Sequence, residues 1–434
     1  MIGILLFVFL AICIVISFHV NGDIFSPVKF YFLFLFVYFA SIFYDEQSLY
    51  VYLIYVFFML LGLIFVFIEK SFVGDSNKFN FNKGDLPVSS GKVLFFLWLL
   101  SLIPLGAQAY LISIMGGIEP YISSIQLRVT EWQGLGHVIF MRKIYPIINV
   151  VYFIIGIMYK VKNRRLWWFL FIFHFLALVF MGFMSGSRGG VLYGFLFIMI
   201  IGHYYIKRIS ISKALLSIVI FVVVAAFLGS IRNTFSYSSS EGVDLNHEGG
   251  SLSKMHLTRY GIIPLDIILD DDFTNLQHGV TFLSVVTNFV PRSIWPEKPD
   301  TGGVVITKFA KGTSYLGTSN YSPGIFAESV INFGYFYGAL FSVLISTVVF
   351  LIVSYIYKKF IMIFCDQKYR VVNFHKAIFF SAFYLFVITI PGGLLFGEFT
   401  NLFMNLIIKI VPLFCICLCF KLLFKVGFYE NDCD

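Results

Sequence analysis

Long apolar runs alternate with short polar loops along almost the whole chain. A helix of about 20 residues, rising about 1.5 Å per residue, is long enough to cross the hydrocarbon core of a bilayer. About 11 runs meet this length, near 2–20, 28–44, 48–68, 93–115, 144–160, 166–186, 189–206, 213–231, 324–357, 377–396 and 401–424. The pattern predicts an all-α polytopic integral membrane protein with about 11 (10–12) transmembrane helices.

The composition supports a bilayer protein and excludes a nucleic-acid partner. Of the 434 residues, 59% are hydrophobic and only 12% are charged, whereas soluble domains carry about 25% charged residues. The net charge of +8 comes from Lys and Arg scattered over short loops between apolar runs. No basic face of any length exists for a phosphate backbone, so the charge indicates membrane topology.

The basic loops predict the orientation of the chain. By the positive-inside rule, loops rich in Lys and Arg are cytoplasmic. These loops hold Lys29, the lysines of 70–92, and the basic residues of 160–165, 207–213, 358–376 and 421–425. The opposite, periplasmic face then carries 45–46, 116–143, 186–190, 232–323 and 397–398. This places the N-terminus in the periplasm and the C-terminus in the cytoplasm. The first run has no basic n-region and no small-residue cleavage site, so we predict a retained span and not a signal peptide.

One long polar segment, 232–323, interrupts the apolar pattern and is predicted to be a large extracytoplasmic loop. It collects most of the Gly and Pro turn signals, and its part 252–290 mixes apolar and polar residues. That mixture predicts short amphipathic helices on the outer membrane surface. No internal repeat is visible, so we predict a single transmembrane domain, 1–434. A loop of this kind is where function concentrates.

Several arginines fall at the depth of the outer headgroups. Counting along the helices from the basic loops puts Arg188 and Arg232 at the outer interface, and Arg292 is tethered nearby between prolines. The same count, made along one straight helix, puts Glu328 about 10–15 Å above the hydrocarbon. Guanidinium groups bind phosphate oxygens through paired donors, so these arginines are candidates for holding a lipid-linked diphosphate. The alternative is that each one anchors a helix end to ordinary lipid.

Glu328 is the candidate general base. It opens an apolar span and lies four residues before Asn332, so both residues share one helix face. A carboxylate there can remove a proton from a sugar hydroxyl, or it can simply stabilise the helix N-terminus. His278, beside a glycine in the long loop, is a second acid/base candidate, and Arg259 is a further phosphate-binding candidate.

Neither the acidic run nor the cysteines predict a metal or disulfide site. Asp270 to Asp272 resemble the run with which some sugar transferases hold a nucleotide-sugar through a divalent ion. Nucleotide donors are scarce outside the cytoplasm, so we interpret the run as a solvated turn or helix cap. None of the six cysteines lies in the long loop, and Cys415, Cys417 and Cys419 are spaced so that they face different ways on a helix. We therefore expect no metal and no cofactor.

A set of motifs in 180–340 resembles a known family. The set comprises the turn Ser185–Gly186–Ser187–Arg188–Gly189, the loop end Pro291–Arg292 to Pro299, and the return span with Pro323–Gly324, Glu328 and Asn332–Phe333–Gly334 before Gly338. This layout is similar to bacterial oligosaccharide repeat-unit polymerases of the Wzy type, which make O-antigen and capsule. Arg292 and Gly303 also fit the Arg-x10-Gly pattern of some members.

The resemblance implies a GT-C-like, metal-independent glycosyltransferase in the bacterial inner membrane, with its site facing the periplasm. Its substrates would be undecaprenyl-diphosphate-linked oligosaccharides, and a chain-length regulator is the expected protein partner. Arg188, Arg232 and Arg292, with Arg259, would hold the diphosphates, and Glu328, with His278 in reserve, would accept the proton.

Two alternatives stay open. The O-antigen ligases share this layout and the same donor, but transfer the glycan to lipid A-core. A lipid-linked sugar flippase or transporter would need polar groups near the bilayer midplane. The predicted spans are almost entirely Phe, Leu, Ile and Val at that depth, which argues against transport.

Overall fold

The structure of the chain is a computed structural model. It describes residues 2–73, 81–124, 132, 134–184, 188–217, 219–220, 223, 256–270, 276–290, 294–312 and 320–424. Almost all of this part of the chain is helical, because apolar segments of this length satisfy their backbone hydrogen bonds internally.

The helices are numbered here in chain order. They are α1 (Ile2–Val20), α2 (Pro27–Tyr38), α3 (Leu49–Val73), α4 (Ser90–Ile114), α5 (Ile118–Ser124), α6 (Gly136–Arg142), α7 (Tyr145–Met158), α8 (Arg164–Met184), α9 (Arg188–Tyr205), α10 (Ile263–Asp270), α11 (Val280–Thr287), α12 (Gly302–Lys311), α13 (Gly324–Cys365), α14 (Gln367–Val372), α15 (Phe374–Val387), α16 (Ile390–Gly393) and α17 (Phe399–Leu423). Two 3₁₀ turns, Ala40–Phe43 and His256–Arg259, and a parallel pairing of β1 (Gly84–Asp85) with β2 (Tyr159–Lys160) complete the described elements.

The chain is an all-α, multi-pass membrane protein. Within the described residues, eight helical segments are long and apolar enough to cross a bilayer: Ile2–Val20, Leu49–Val73, Ser90–Ile114, Gly136–Met158, Arg164–Met184, Gly324–Cys365, Phe374–Gly393 and Phe399–Leu423. Two shorter apolar helices, Pro27–Tyr38 and Leu192–Tyr205, coincide with two further predicted spans. The predicted span 213–231 lies largely outside the described residues. Parts of the long loop are helical too, since α10, α11 and α12 all fall within it.

Contacts group the chain into two compact units. Unit 1 comprises 1–78, 247–359 and 386–407, and unit 2 comprises 79–246, 360–385 and 408–434. In unit 1, α1, α2 and α3 pack together and α16 packs against α2. A methyl group on Gly392 would lie 2.8 Å from the carbonyl oxygen of Phe30, so only glycine permits this approach.

Unit 2 is built from α4 to α9, the last residues of α13, α14, most of α15 and the second part of α17. Its interior holds a buried histidine, His174, whose ring stacks on Tyr145 at 4.3 Å between centroids. Asn149 and Ser101 each lie 2.9 Å from one of its ring nitrogens, so both nitrogens have partners. A buried arginine, Arg370, donates to the carbonyl groups of Ile363 and Phe364 and thereby caps the end of α13. Both side chains are held by hydrogen bonds within unit 2, which indicates a structural role.

A break inside α13 corrects the depth estimated for Glu328. Gly334 has φ 76° and ψ 174°, so the helical stretches 324–333 and 335–365 are separate. A methyl group on Gly338 would lie 2.7 Å from the carbonyl oxygen of Ser329, so the chain folds back on itself there. At about 1.5 Å per residue, Gly338 lies about 30 Å from Lys358. The count along one straight helix, which put Glu328 about 10–15 Å above the hydrocarbon, therefore does not apply to this chain.

Candidate functional site

Glu328 lies on the short helical stretch before the break and is completely buried in unit 1. One carboxylate oxygen accepts a hydrogen bond from the hydroxyl of Thr281 at 3.1 Å, and the other accepts from the backbone N–H of Phe399 at 2.9 Å. The structure leaves no space beside it, because a methyl group on Gly302 would lie 2.6 Å from its carboxyl carbon. Three separate chain segments thus fix the position of this carboxylate.

Asn332 connects Glu328 to the segment that carries His278. Its amide nitrogen donates to the Thr281 hydroxyl at 2.7 Å and to the Glu328 carbonyl at 2.6 Å, and its amide oxygen accepts from the N–H of Gly279 at 2.9 Å. The N–H of His278 donates to the Asn332 carbonyl at 3.0 Å. Every polar atom of the Asn332 amide therefore serves to hold 278–281 against 328–332.

His278 itself is exposed, and its backbone φ is 45°. Among the described residues it is the one non-glycine with positive φ, a conformation that side chains rarely adopt. Its position is set by the backbone hydrogen bonds on either side of it. The two predicted acid/base residues, Glu328 and His278, thus lie on paired segments of one site.

A second carboxylate, Glu398, lies next to Glu328. It is 4% exposed and immediately precedes Phe399, whose N–H donates to Glu328. One of its oxygens accepts from the N–H of Gly303 at 2.9 Å, and the other accepts from the side-chain amide of Asn401. Gly302 and Gly303, the first two residues of α12, therefore contact one carboxylate each.

The charge of this pair is balanced by dipoles and not by a cation. Within the described part of the chain, no Lys, Arg or His forms an ion pair with Glu328 or Glu398. The donors are instead backbone amides, a hydroxyl and a side-chain amide. The N-terminus of α12 adds the positive end of a helix dipole. A buried pair of carboxylates without a neutralising side chain costs free energy and is typical of functional sites.

The predicted phosphate-binding arginines can be placed only in part. Arg232 and Arg292 lie outside the described residues, and of Arg188 only its backbone, at the start of α9, is described. Arg259 is described at the end of a 3₁₀ turn in unit 1, where it forms a 3.5 Å ion pair with Asp266 and its side chain is 49% exposed. Of the acidic run, Asp270 ends α10 and the two following aspartates are outside the described residues.

Unit 1 also contains a buried cluster that includes a cation, the Lys29 cluster. The Lys29 ammonium donates to the carbonyls of Ser17 and Asn21 at 2.8 and 3.0 Å. The Asn21 amide donates to Glu69 at 2.7 Å, and the carboxylate of Asp23 accepts from the N–H of Phe25 and from a tyrosine hydroxyl. Its members are Ser17, Asn21, Asp23, Lys29, Glu69 and Tyr357.

The interior of the spans is less apolar than the sequence pattern predicts. Lys409 lies near the middle of α17, a helix of 25 residues, and its ammonium is 5.5 Å from the ring centroid of Tyr193. Lys409 belongs to unit 2. Ionisable residues at such depth are costly and commonly functional.

Sequence reasoning missed Glu398 and Thr281. Glu398 is a single carboxylate between two long apolar runs, next to Gly397, and this isolation is a signal that points to it. Nothing in the local sequence marks Thr281, because its role depends on contact with residues about fifty positions away. The chain has no significant match to any known protein family, curated protein or solved structure.

Proposed function

We propose that this protein polymerises undecaprenyl-diphosphate-linked oligosaccharide repeat units into O-antigen or capsular polysaccharide. In this proposal it is a GT-C-like glycosyltransferase with about 11 spans in the bacterial inner membrane. Its site faces the periplasm, and a chain-length regulator is its protein partner. The motifs of 180–340 support the family assignment by resemblance.

The observation that carries the proposal is the buried carboxylate pair. Glu328 and Glu398 lie next to each other. Glu328 also belongs to the motif on which the family resemblance rests, together with Gly324, Asn332 and Gly334. Each of these motif residues has a physical role in the site. Gly324 has φ 66°, and a methyl group on it would lie 2.3 Å from the carbonyl oxygen of Leu395. Asn332 supplies the hydrogen bonds, and Gly334 turns the chain after them.

The proposed reaction needs one proton acceptor and a site for a departing diphosphate. A hydroxyl oxygen at the non-reducing end of the acceptor glycan attacks the anomeric carbon of the donor glycan. The bond from that carbon to the diphosphate oxygen breaks, and undecaprenyl diphosphate leaves with the electron pair. The hydroxyl proton passes to the Glu328–Glu398 pair, with Glu328 as the candidate base. Full burial of the pair requires that substrate binding opens a path to it.

The arginines have the complementary role in this proposal. Arg188, Arg232, Arg292 and Arg259 hold the diphosphates of the two substrates and stabilise the charge that builds on the leaving group. His278 remains a second acid/base candidate, since its segment is fixed to that of Glu328. No metal or other cofactor takes part in the proposed reaction.

The length distribution of the surface polysaccharide tests the proposal. A strain from which the gene is deleted is complemented with the wild-type gene, with Glu328→Gln, or with Glu46→Gln. The last is a matched control, because Glu46 is an exposed carboxylate on the same predicted face. Protein levels in the membrane are measured with an epitope tag. We expect long chains with wild type and control, and a single repeat unit on the lipid core with Glu328→Gln and with the deletion.

Other outcomes would contradict the polymerase. Loss of every repeat unit, including the first, identifies a ligase. If the deletion strain makes unchanged polysaccharide chains and an unchanged capsule, the protein has no role in polysaccharide assembly. Long chains made by Glu328→Gln at normal protein level contradict the role of the carboxylate pair.

Transport of a lipid-linked sugar is the second candidate function, and Lys409 favours it. An intramembrane lysine beside a tyrosine ring is a polar group at the depth where transporters bind their cargo. The discriminating measurement uses proteoliposomes that contain a fluorescent lipid-linked oligosaccharide. Transport predicts movement between leaflets that is lost in Lys409→Met, whereas the polymerase predicts longer glycans without such movement.

A further inference from the structure

Three aromatic rings form a ledge beside the carboxylate pair in unit 1. We use the name aromatic ledge for Tyr38, Tyr260 and Phe396. The rings of Tyr38 and Phe396 stack, with 3.6 Å between centroids and 17° between planes. The centroid of the Tyr260 ring lies 6.2 Å from that of Tyr38, in a tilted arrangement, and 6.0 Å from that of Phe396, in an edge-to-face arrangement. Tyr260 is 39% exposed and the other two are half-buried, so the ledge has an accessible side.

Close backbone packing holds the ledge in place. The N–H of Gly261 donates to the carbonyl of Tyr38 at 3.0 Å. A methyl group on Gly261 would lie 2.3 Å from the ring of Phe39, so only glycine lets this segment approach the end of α2. Phe34, on α2, packs against the stacked pair. Its ring centroid lies 5.6 Å from that of Tyr38 and 5.7 Å from that of Phe396. The rings are therefore fixed before any ligand binds.

Polar groups converge on the same place. Phe396 precedes Glu398 by two residues, and burial, followed by the charge of that carboxylate, raises the pKa of Tyr260. The geometric link is the contact of Tyr260 with Phe396, whose ring centroids lie 6.0 Å apart. Arg259, next to Tyr260, has five N–H donors, and its side chain is 49% exposed. The ledge thus combines apolar ring faces with an acceptor, a phenol and a guanidinium.

We propose that the aromatic ledge and Glu398 form a binding subsite for one pyranose ring of a glycan. A pyranose has a face of C–H groups that can lie on an aromatic ring and a rim of hydroxyls that can bond to the polar groups. Rigid aromatic rings supply contact area at low entropic cost, and a few placed polar groups fix orientation. The inference rests on the proposed function in part, since it names the sugar end of the substrate at that site.

An acyl chain or lipid tail is the competing occupant. It would also cover the rings, but it would exclude water from the Tyr260 phenol and from the half-exposed Arg259 guanidinium without offering either a hydrogen bond. Polar groups that are buried without a hydrogen-bond partner are costly, so an apolar occupant is disfavoured. A hydroxyl-rich ring satisfies both kinds of surface at once.

Saturation-transfer NMR on the full-length protein in nanodiscs tests the proposal. The probes are free D-glucose, D-galactose, D-mannose, N-acetyl-D-glucosamine and L-rhamnose. We expect at least one sugar to receive saturation, strongest on the C–H groups of one ring face. Tyr260→Ala should weaken binding of that sugar by about tenfold, as the loss of one stacking contact does for nucleobases. Tyr260→Trp should retain it, and Glu398→Gln should weaken it less than Tyr260→Ala.

Tyr50→Ala is the matched control, because Tyr50 is 65% exposed and belongs to the same unit. Melting temperatures of all variants establish that they are folded. The proposal is overturned if no sugar binds the wild type, or if Tyr260→Ala and Tyr50→Ala bind equally well. If the wild type binds a sugar but deletion of its gene leaves the polysaccharide unchanged, the ledge proposal stands and the polymerase proposal is rejected. The converse result, polymerisation with no dependence on Tyr260, would reject the ledge alone.

Discussion

Unit 1 holds two buried clusters of ionisable side chains that differ in their electrostatics. The Lys29 cluster contains one cation and two carboxylates, and each of them has hydrogen-bond partners. The Glu328–Glu398 pair contains two carboxylates, and within the described part of the chain no cation is paired with either one. The first cluster carries its own neutralising charge, whereas the second relies on backbone amides, an amide, a hydroxyl and a helix terminus.

The difference indicates which cluster serves stability and which serves function. A buried ion network loses most when one partner is removed, because the other charges are left unpaired. A pair of like charges is already unfavourable, so making one of them neutral removes repulsion. Loss of one charge should therefore destabilise the Lys29 cluster and should not destabilise the Glu328–Glu398 pair.

Lys29→Met should have the largest effect on stability. It removes the one cation of the cluster, so the carbonyls of Ser17 and Asn21 lose their donor and Glu69 and Asp23 stay buried without a positive charge in the cluster. Breaking a buried charged network costs about 3–5 kcal/mol. The melting temperature of the purified protein and the amount inserted in the membrane should both fall. Lys160→Met is the control, because Lys160 pairs with Asp85 at the surface, where both side chains are mostly exposed. A surface pair contributes about 0–1 kcal/mol. Equal melting temperatures for the two variants would contradict a structural role for the cluster.

Gly324→Ala should have the next largest effect, and it acts on the carboxylate pair through the backbone. Alanine at φ 66° is strained, which costs about 1–3 kcal/mol, and its methyl group would meet the Leu395 carbonyl at 2.3 Å. The start of α13 must shift, so Glu328 loses its position and polysaccharide chains should shorten. Gly202→Ala is the control, since a methyl group there meets nothing within 4 Å. Thermal unfolding and chain length are measured for both, and a normal result for Gly324→Ala would show that the site tolerates displacement.

Much of the fold could be predicted from the sequence, because span length and hydropathy are local properties. The ends of α1, α3, α8 and α17 lie within a few residues of the predicted runs. The break at Gly334 was harder to predict. Glycine is tolerated within apolar helices, and only its contact partners show that the chain folds back there.

The candidate site could be predicted only where its residues are close in sequence. Glu328 and Asn332 share a helix face, so their spacing marks them as a pair. Glu398 and Thr281 join them through contacts across about 70 and 50 positions, and no local pattern contains that information. For Lys29 the sequence pattern predicts the wrong environment, since a lysine between two apolar runs is typical of an exposed cytoplasmic loop. Here the fold buries it, and two backbone carbonyls accept hydrogen bonds from its ammonium.

Glu328→Gln should leave the protein as stable as the wild type or more stable. The amide retains an oxygen to accept from Phe399, and its nitrogen can donate to Thr281, while the repulsion from Glu398 disappears. Removing a strained functional group commonly gains about 0.5–2 kcal/mol. Polymerisation should nevertheless be lost. Thermal unfolding and polysaccharide length are measured on the same preparation and strain. A large fall in melting temperature would assign the carboxylate pair to structure, like the Lys29 cluster.

Arg259→Gln should change stability least and still abolish long chains. Its ion pair with Asp266 spans 3.5 Å, and the two side chains are 49% and 31% exposed. Such pairs contribute less than about 1 kcal/mol. Asp266→Asn removes the same ion pair but keeps the guanidinium. If Arg259 binds a diphosphate, Asp266→Asn makes long chains and Arg259→Gln does not, at equal melting temperature. If both variants make long chains, the guanidinium has no role in the reaction. If both fail, the ion pair positions the turn beside Tyr260. The two substitutions together thus distinguish an Arg259 guanidinium that binds a substrate from one that only stabilises the fold.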